Sequence, residues 1–150
     1  LANNRTIAIT ATWDSISPFC LSDIYTVTKT ITSTDNKLII NIDTDDNKPV
    51  CPRVTIQANN ASIKFTNKHT DFFNVSKSYN SLSLSNNTSG ERIVVDGANK
   101  LISSSSTRRI FGDDFNWAWL ELYDGKNEIT VEDNCTVTIE YREVRKVGEY

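Results

Sequence analysis

Apolar residues recur at every second position through most of the chain, a period that belongs to β-strands with one buried and one wetted face. Ile7, Ile9, Ala11 and Trp13 alternate with Thr6, Ala8, Thr10 and Thr12, and residues 24–32 set Tyr25, Val27 and Ile31 against threonines. Shorter runs of the same kind occupy residues 38–42, 54–56, 63–65, 82–84, 93–95, 129–131 and 137–141. Between them lie "DTDDNKP", "ANNA", "SNNTSGE", "VDGANK", "FGDD", "YDGKN" and "EDN", rich in residues that cap turns or accept positive φ. About ten short strands at this spacing predict an all-β fold, an antiparallel two-sheet β-sandwich with few or no helices. One helical turn is allowed around "KHTDFFNVSKS", where Phe72 and Phe73 suit a strand or a loop equally well.

The C-terminal third carries the sharpest pattern. "FNWAWLELY" reads as a strand with Phe115, Trp117, Trp119 and Glu121 on one face and Asn116, Ala118, Leu120 and Leu122 on the other. "YDGKN" then signals a hairpin, with Gly125 supplying the positive φ, and its partner strand offers Ile129 and Val131 to the core. Leu120 and Leu122 join that core, so the tryptophans face away from it. Two readings follow. Either a covering segment, the N-terminal stretch or "KHTDFFNV", packs over them, or Trp117 and Trp119, with Tyr123, form an exposed aromatic patch. Such a patch would suit saccharide stacking or a neighbouring protein.

At 150 residues the chain fits one domain, 1–150, able to bury roughly two-thirds of its unfolded surface. "ISSSSTRR" is too short to divide it. The net charge of -3 comes from interspersed signs with no basic stripe, which argues against nucleic acid as a partner. No apolar run reaches the roughly 20 residues of a membrane span, so no membrane insertion is expected, and "LANNRTIAIT" has neither the basic start nor the apolar centre of a signal peptide. The absence of methionine leads us to expect a piece of a longer or processed protein. Cys20, Cys51 and Cys135 lack C-x-x-C spacing; buried thiols from a reducing compartment are expected, with one disulfide and a leftover thiol as the alternative.

Candidate chemistry is thin. His69 is the single histidine, and "NKHTDFF" carries no nucleophile signature, so it reads as a solvated loop histidine. Asp43, Asp45 and Asn47 resemble the opening of a calcium loop, but Lys48 stands where glycine is needed and Val54 where the bidentate glutamate belongs. Asp113 and Asp114 are neighbours that a strand would point to opposite faces; a turn is the better reading. N-x-S/T triplets begin at Asn4, Asn60, Asn74, Asn86, Asn87 and Asn134, but Asn, Ser and Thr are abundant enough for several to arise by chance. No catalytic residue, metal or cofactor is expected.

"LELYDGKNEITV" and the closing "VTIEYREV" resemble the end of the distal tail proteins (Dit family) of siphophages that infect Gram-positive bacteria. "NKPVCPRVTIQ", "SGERIVVDGANKLI" and "RTIAITATWDSISPFC" are similar to earlier stretches of that family, in the same order. The resemblance implies a galectin-like β-sandwich: the C-terminal domain of a longer protein whose missing N-terminal part forms a homo-hexameric ring. It implies a structural adaptor of the virion tail, assembled in the bacterial cytoplasm. Such an adaptor docks other tail or baseplate proteins, is not an enzyme, and is a monomer as an isolated domain. The competing class is a carbohydrate-binding module that contacts host cell-wall polysaccharide. Sugar-binding galectins use H-x-N-P-R and W-G-x-E runs; here Thr70 follows His69, and Ala118 and Leu120 follow the tryptophans, so no ligand residue is carried over.

Overall fold

The structure, a computed structural model, describes residues 19–70, 76–78 and 81–146. The alternating run at Ile7 to Trp13, the Phe72–Phe73 pair and the triplets at Asn4 and Asn74 lie outside the described residues. In chain order the strands are β1 (Phe19–Leu21), β2 (Tyr25–Ile31), β3 (Lys37–Ile42), β4 (Arg53–Ala58), β5 (Ile63–Thr70) and β6 (Ser76–Ser78). They continue as β7 (Leu82–Leu84), β8 (Arg92–Asp96), β9 (Leu101–Ser104), β10 (Gly125–Glu132), β11 (Cys135–Tyr141) and β12 (Val144–Lys146). One short 3-10 turn, Gly112–Asp114, is the helical element among the described residues.

All pairings are antiparallel. One sheet runs β3-β10-β5-β6, with β7 also on β5; the other runs β2-β11-β4-β8-β9; β1 and β12 form a two-stranded ribbon. The inner positions interleave into one core, with Leu38, Ile40, Phe65, Ile129 and Val131 from the first sheet meeting Val54, Ile56, Ile93, Val137 and Ile139 from the second. Antiparallel sheets buried on one face give this alternation, and the expected β-sandwich is what forms. The Asp133–Asn134 turn, with Asp133 at φ 72, carries the chain from β10 in one sheet to β11 in the other.

Several local expectations are corrected. Residues 116–121 form no ladder; only single bridges, Leu84 to Phe115 and Val50 to Leu122, tie the ends of that segment. The cause is Trp117, whose φ of 54 turns the chain out of extended geometry. Asn116 replaces the ladder: its Oδ1 accepts from the Ser83 and Ala118 amides at 3.0 and 3.3 Å, and its Nδ2 donates to the Ser81 carbonyl. The hairpin at "YDGKN" is absent as well. Gly125, at φ 96, opens β10 directly, and the buried Asn127 side chain closes the loop. Its Oδ1 accepts from the Tyr123 amide at 2.9 Å, and its Nδ2 donates to the Tyr123 and Gly125 carbonyls at 2.7 and 3.1 Å.

His69 is not a solvated loop residue. It lies inside β5, 7% exposed, with Nε2 donating to the Asp124 carbonyl at 2.5 Å. Of the three thiols expected inside, only Cys135 is buried; Cys51 is half-buried and Cys20 exposed, and all three are free. The serine-rich run contributes β9.

Candidate functional site

The aromatic segment after the 3-10 turn is built on Phe115, which the bridge to Leu84 pins into the core. Both tryptophans lean on that ring: Trp117 at a centroid distance of 5.4 Å and Trp119 edge-on at 5.3 Å. Their fates then diverge. Trp119 is half-buried against the core, and the Lys100 ammonium sits over its ring at 5.3 Å, occupying a face in a cation–π contact. Trp117 is 57% exposed, and its indole nitrogen donates to the Gly112 carbonyl at 3.1 Å. Ile110, also strongly exposed, stands two residues before that carbonyl.

A bulky aromatic at φ 54 is a costly backbone state, on the order of 1–3 kcal/mol, and persists where its surroundings over-determine it. Arg109 supplies much of that constraint. Its guanidinium donates to the Ser85 carbonyl at 2.5 Å, to the Asn86 carbonyl and to Asn87 Oδ1 at 3.3 Å. It also lies 3.5 Å from the carboxylates of Glu91 and Asp114 and covers the Phe111 ring at 5.2 Å. Glu91 in turn takes the Thr88 amide at 2.8 Å and the Ser104 hydroxyl at 2.5 Å. Asn86 Nδ2 bonds Asp114 at 2.7 Å, so the loop bearing the 3-10 turn is tied to the loop before β8 on several sides. Trp117 is therefore presented from a rigid frame.

Tyr123 belongs to a separate cluster. Its ring packs against His69 at 5.5 Å, its hydroxyl donates to Glu121 at 2.7 Å, and among the described residues no ring contact joins it to either tryptophan. Sequence reasoning missed the Arg109–Glu91 frame. A buried arginine inside "SSSSTRRIFGDD" leaves no local mark, although the return of Glu91 to Thr88 across "NTSGE" has the spacing of a side chain that caps its own loop.

The acidic loop "DTDDNK" is also structural. Asp43 takes Arg145 at 2.9 Å, and Asp45 accepts the Lys146 amide at 2.8 Å, so this loop braces β12. Among the described residues no group of His, Cys, Asp and Glu side chains could hold a metal ion.

Residues 19–141 match the family described as phage tail C-terminal domain. The crystal structure of the Dit protein of phage SPP1 is described as a paradigm of the hub adsorption apparatus in phages infecting Gram-positive bacteria. It resembles this fold with a TM-score of 0.56 at 9% identity, over 87% of this chain and 50% of that one. The chain thus spans half the length of that protein, and at this identity the likeness is one of fold. No curated protein matches the sequence.

Proposed function

The chain belongs to the phage tail C-terminal domain family, and on that premise we propose that it is the peripheral, non-enzymatic domain of a distal-tail-type adaptor. It docks a neighbouring tail or baseplate protein through Trp117. An upstream part of the protein builds the ring, hexameric in this reading; the domain by itself is a monomer; and the particle is assembled in the host cytoplasm. The likeness to Dit over half of that protein's length leaves room for such an upstream part.

Trp117 carries the reading. An exposed indole held in a left-handed backbone, with its polar atom already satisfied by Gly112, offers apolar area at little further entropic cost. The buried Phe115 ring supports it, and Trp119 packs edge-on against the same ring. Stacking a sugar across both tryptophans is disfavoured, because Lys100 takes a face of Trp119. A non-catalytic role is supported by His69: the chain's single histidine has its Nε2 committed to the Asp124 carbonyl inside the sandwich.

The test places a photo-crosslinking amino acid at position 117 of the full-length protein in assembled virions. A crosslink to a different tail protein, with Trp117→Ala particles lacking that partner or adsorbing poorly, supports docking. Trp117→Ala particles of unchanged composition and adsorption would refute it.

A further inference from the structure

A groove of about 660 Å3 opens where the ends of β1, β4, β8, β11 and β12 converge. That volume lies within the roughly 300–1,000 Å3 usual for ligand sites. One wall is polar. Strand register sets Glu140 beside Arg53 and Arg53 beside Asp96, a carboxylate, a guanidinium and a carboxylate in one row across three strands, and Arg142, beyond Tyr141 along the chain, also lines the groove. Neighbours of opposite sign at such positions ordinarily pair. Here Arg53, Glu140 and Arg142 take part in none of the ion pairs formed among the described residues. All three line the groove.

Asp96 is held ready. Asn99 donates to one carboxylate oxygen from its amide and to the other from its side chain, each at 2.9 Å. The loop that does this is locked by Gly97, whose amide reaches the Pro52 carbonyl at 3.0 Å and whose hydrogen faces that oxygen so closely that a Cβ would stand 2.8 Å from it. The opposite wall is apolar: Leu21 and Ile24 remain 60% and 54% exposed, beside Val50 and Val144, while Tyr141 is steadied by stacking on Tyr25 at 5.3 Å.

We propose that this groove binds a neutral saccharide. The two arginines cancel the two carboxylates, so neither a polyanion nor a polycation gains net attraction. A pyranose has the matching two-sided chemistry: ring-edge hydroxyls that both donate and accept, suited to planar carboxylate and guanidinium groups, and a C–H face suited to Leu21, Ile24 and Tyr141. No tryptophan lines this groove, and the proposal does not depend on the docking role.

The test records backbone amide NMR shifts of the isotope-labelled chain titrated with maltotriose, cellotriose, lactose and diacetylchitobiose, with glycerol 3-phosphate as the anionic probe. Saturable shifts clustered at Arg53, Asp96, Asn99 and Tyr141 with at least one sugar are expected. Arg53→Met and Glu140→Gln, surface changes whose remaining spectra report an intact fold, should weaken that sugar roughly tenfold or more. The proposal fails if no sugar shifts these amides at about 20 mM, a concentration that would reveal millimolar affinity. It also fails if the shifts centre on Trp117, if only glycerol 3-phosphate acts, or if both variants bind unchanged.

Discussion

Arg109 and Glu91 meet at 3.5 Å with side chains only 9% and 2% exposed, joining the loop before β8 to the loop that carries the 3-10 turn. Removing one partner of a buried pair costs far more than the pair's net worth, because the other charge stays desolvated. Hydrogen bonds from Thr88 and Ser104 remain to Glu91 in the variant, which moderates the loss. Arg109→Ala is expected to lower stability by about 2–3 kcal/mol. Urea denaturation followed by circular dichroism measures it, and Glu91→Gln in the same chain should recover part of the loss. Equal midpoints for Arg109→Ala and the parent chain would show the frame to be energetically idle.

The Asp96 carboxyl is held below its usual range, first by the hydrogen bond from the Asn99 side chain, then by the Asn99 amide, with Arg53 helping. A depressed carboxylate pKa contributes stability that is present above the unfolded value near 3.9 and is lost as pH falls through the lower folded value. Asp96→Asn should therefore be less stable than the parent at neutral pH, with the gap closing below about pH 4. Urea midpoints of the two proteins from pH 7 downwards test this; a gap that stays constant or widens in acid contradicts it.

Thiol reactivity should rank the three cysteines by environment. Cys20 is exposed, Cys51 is half-buried with its pKa raised by burial against the opposing charge of Lys100, and Cys135 is buried and pushed up to about 11, first by desolvation and then by Asp133. At pH 8 a disulfide reagent should modify Cys20 at once and Cys51 slowly, and reach Cys135 only on unfolding. The raised pKa of Cys135 adds stability that is complete below the unfolded value near 8.5 and is lost as pH climbs towards 11. Peptide mapping after timed labelling reads the order, and early labelling of Cys135 would contradict the fold around it.

The strands were legible where a residue's fate depends on its immediate neighbours. In β4 and β11 apolar and polar side chains alternate without exception across the core, and period two is enough to place them. What failed was non-local. Asn67 and His69 continue the inward face that Ile63 and Phe65 begin, yet they are polar, and only the pairing of β5 with β10 makes a buried site for them; Asn67 there bonds Asn127 at 2.9 Å. The segment around Trp117 has the composition of a strand, and nothing local announces a left-handed tryptophan. The grouping of Glu140, Arg53 and Asp96 is likewise invisible along the chain, since it arises from the register of three strands separated by some forty residues each.

Trp117 itself yields the prediction that separates presentation from packing. Left-handed geometry costs a bulky aromatic about 1–3 kcal/mol, whereas asparagine adopts it readily. Against that relief stands the loss of a ring that is more than half exposed and touches Phe115 from one side only. The two effects are of similar size, so Trp117→Asn should unfold within about 1 kcal/mol of the parent. Phe115→Ala, which empties a fully buried site, should cost about 3–5 kcal/mol. If thermal and urea unfolding give this contrast while Trp117→Asn loses the crosslinked partner in virions, the residue is retained at an energetic disadvantage for contact with another molecule. A loss from Trp117→Asn as large as that from Phe115→Ala would instead make the indole a structural element, and the docking reading would lose its foundation.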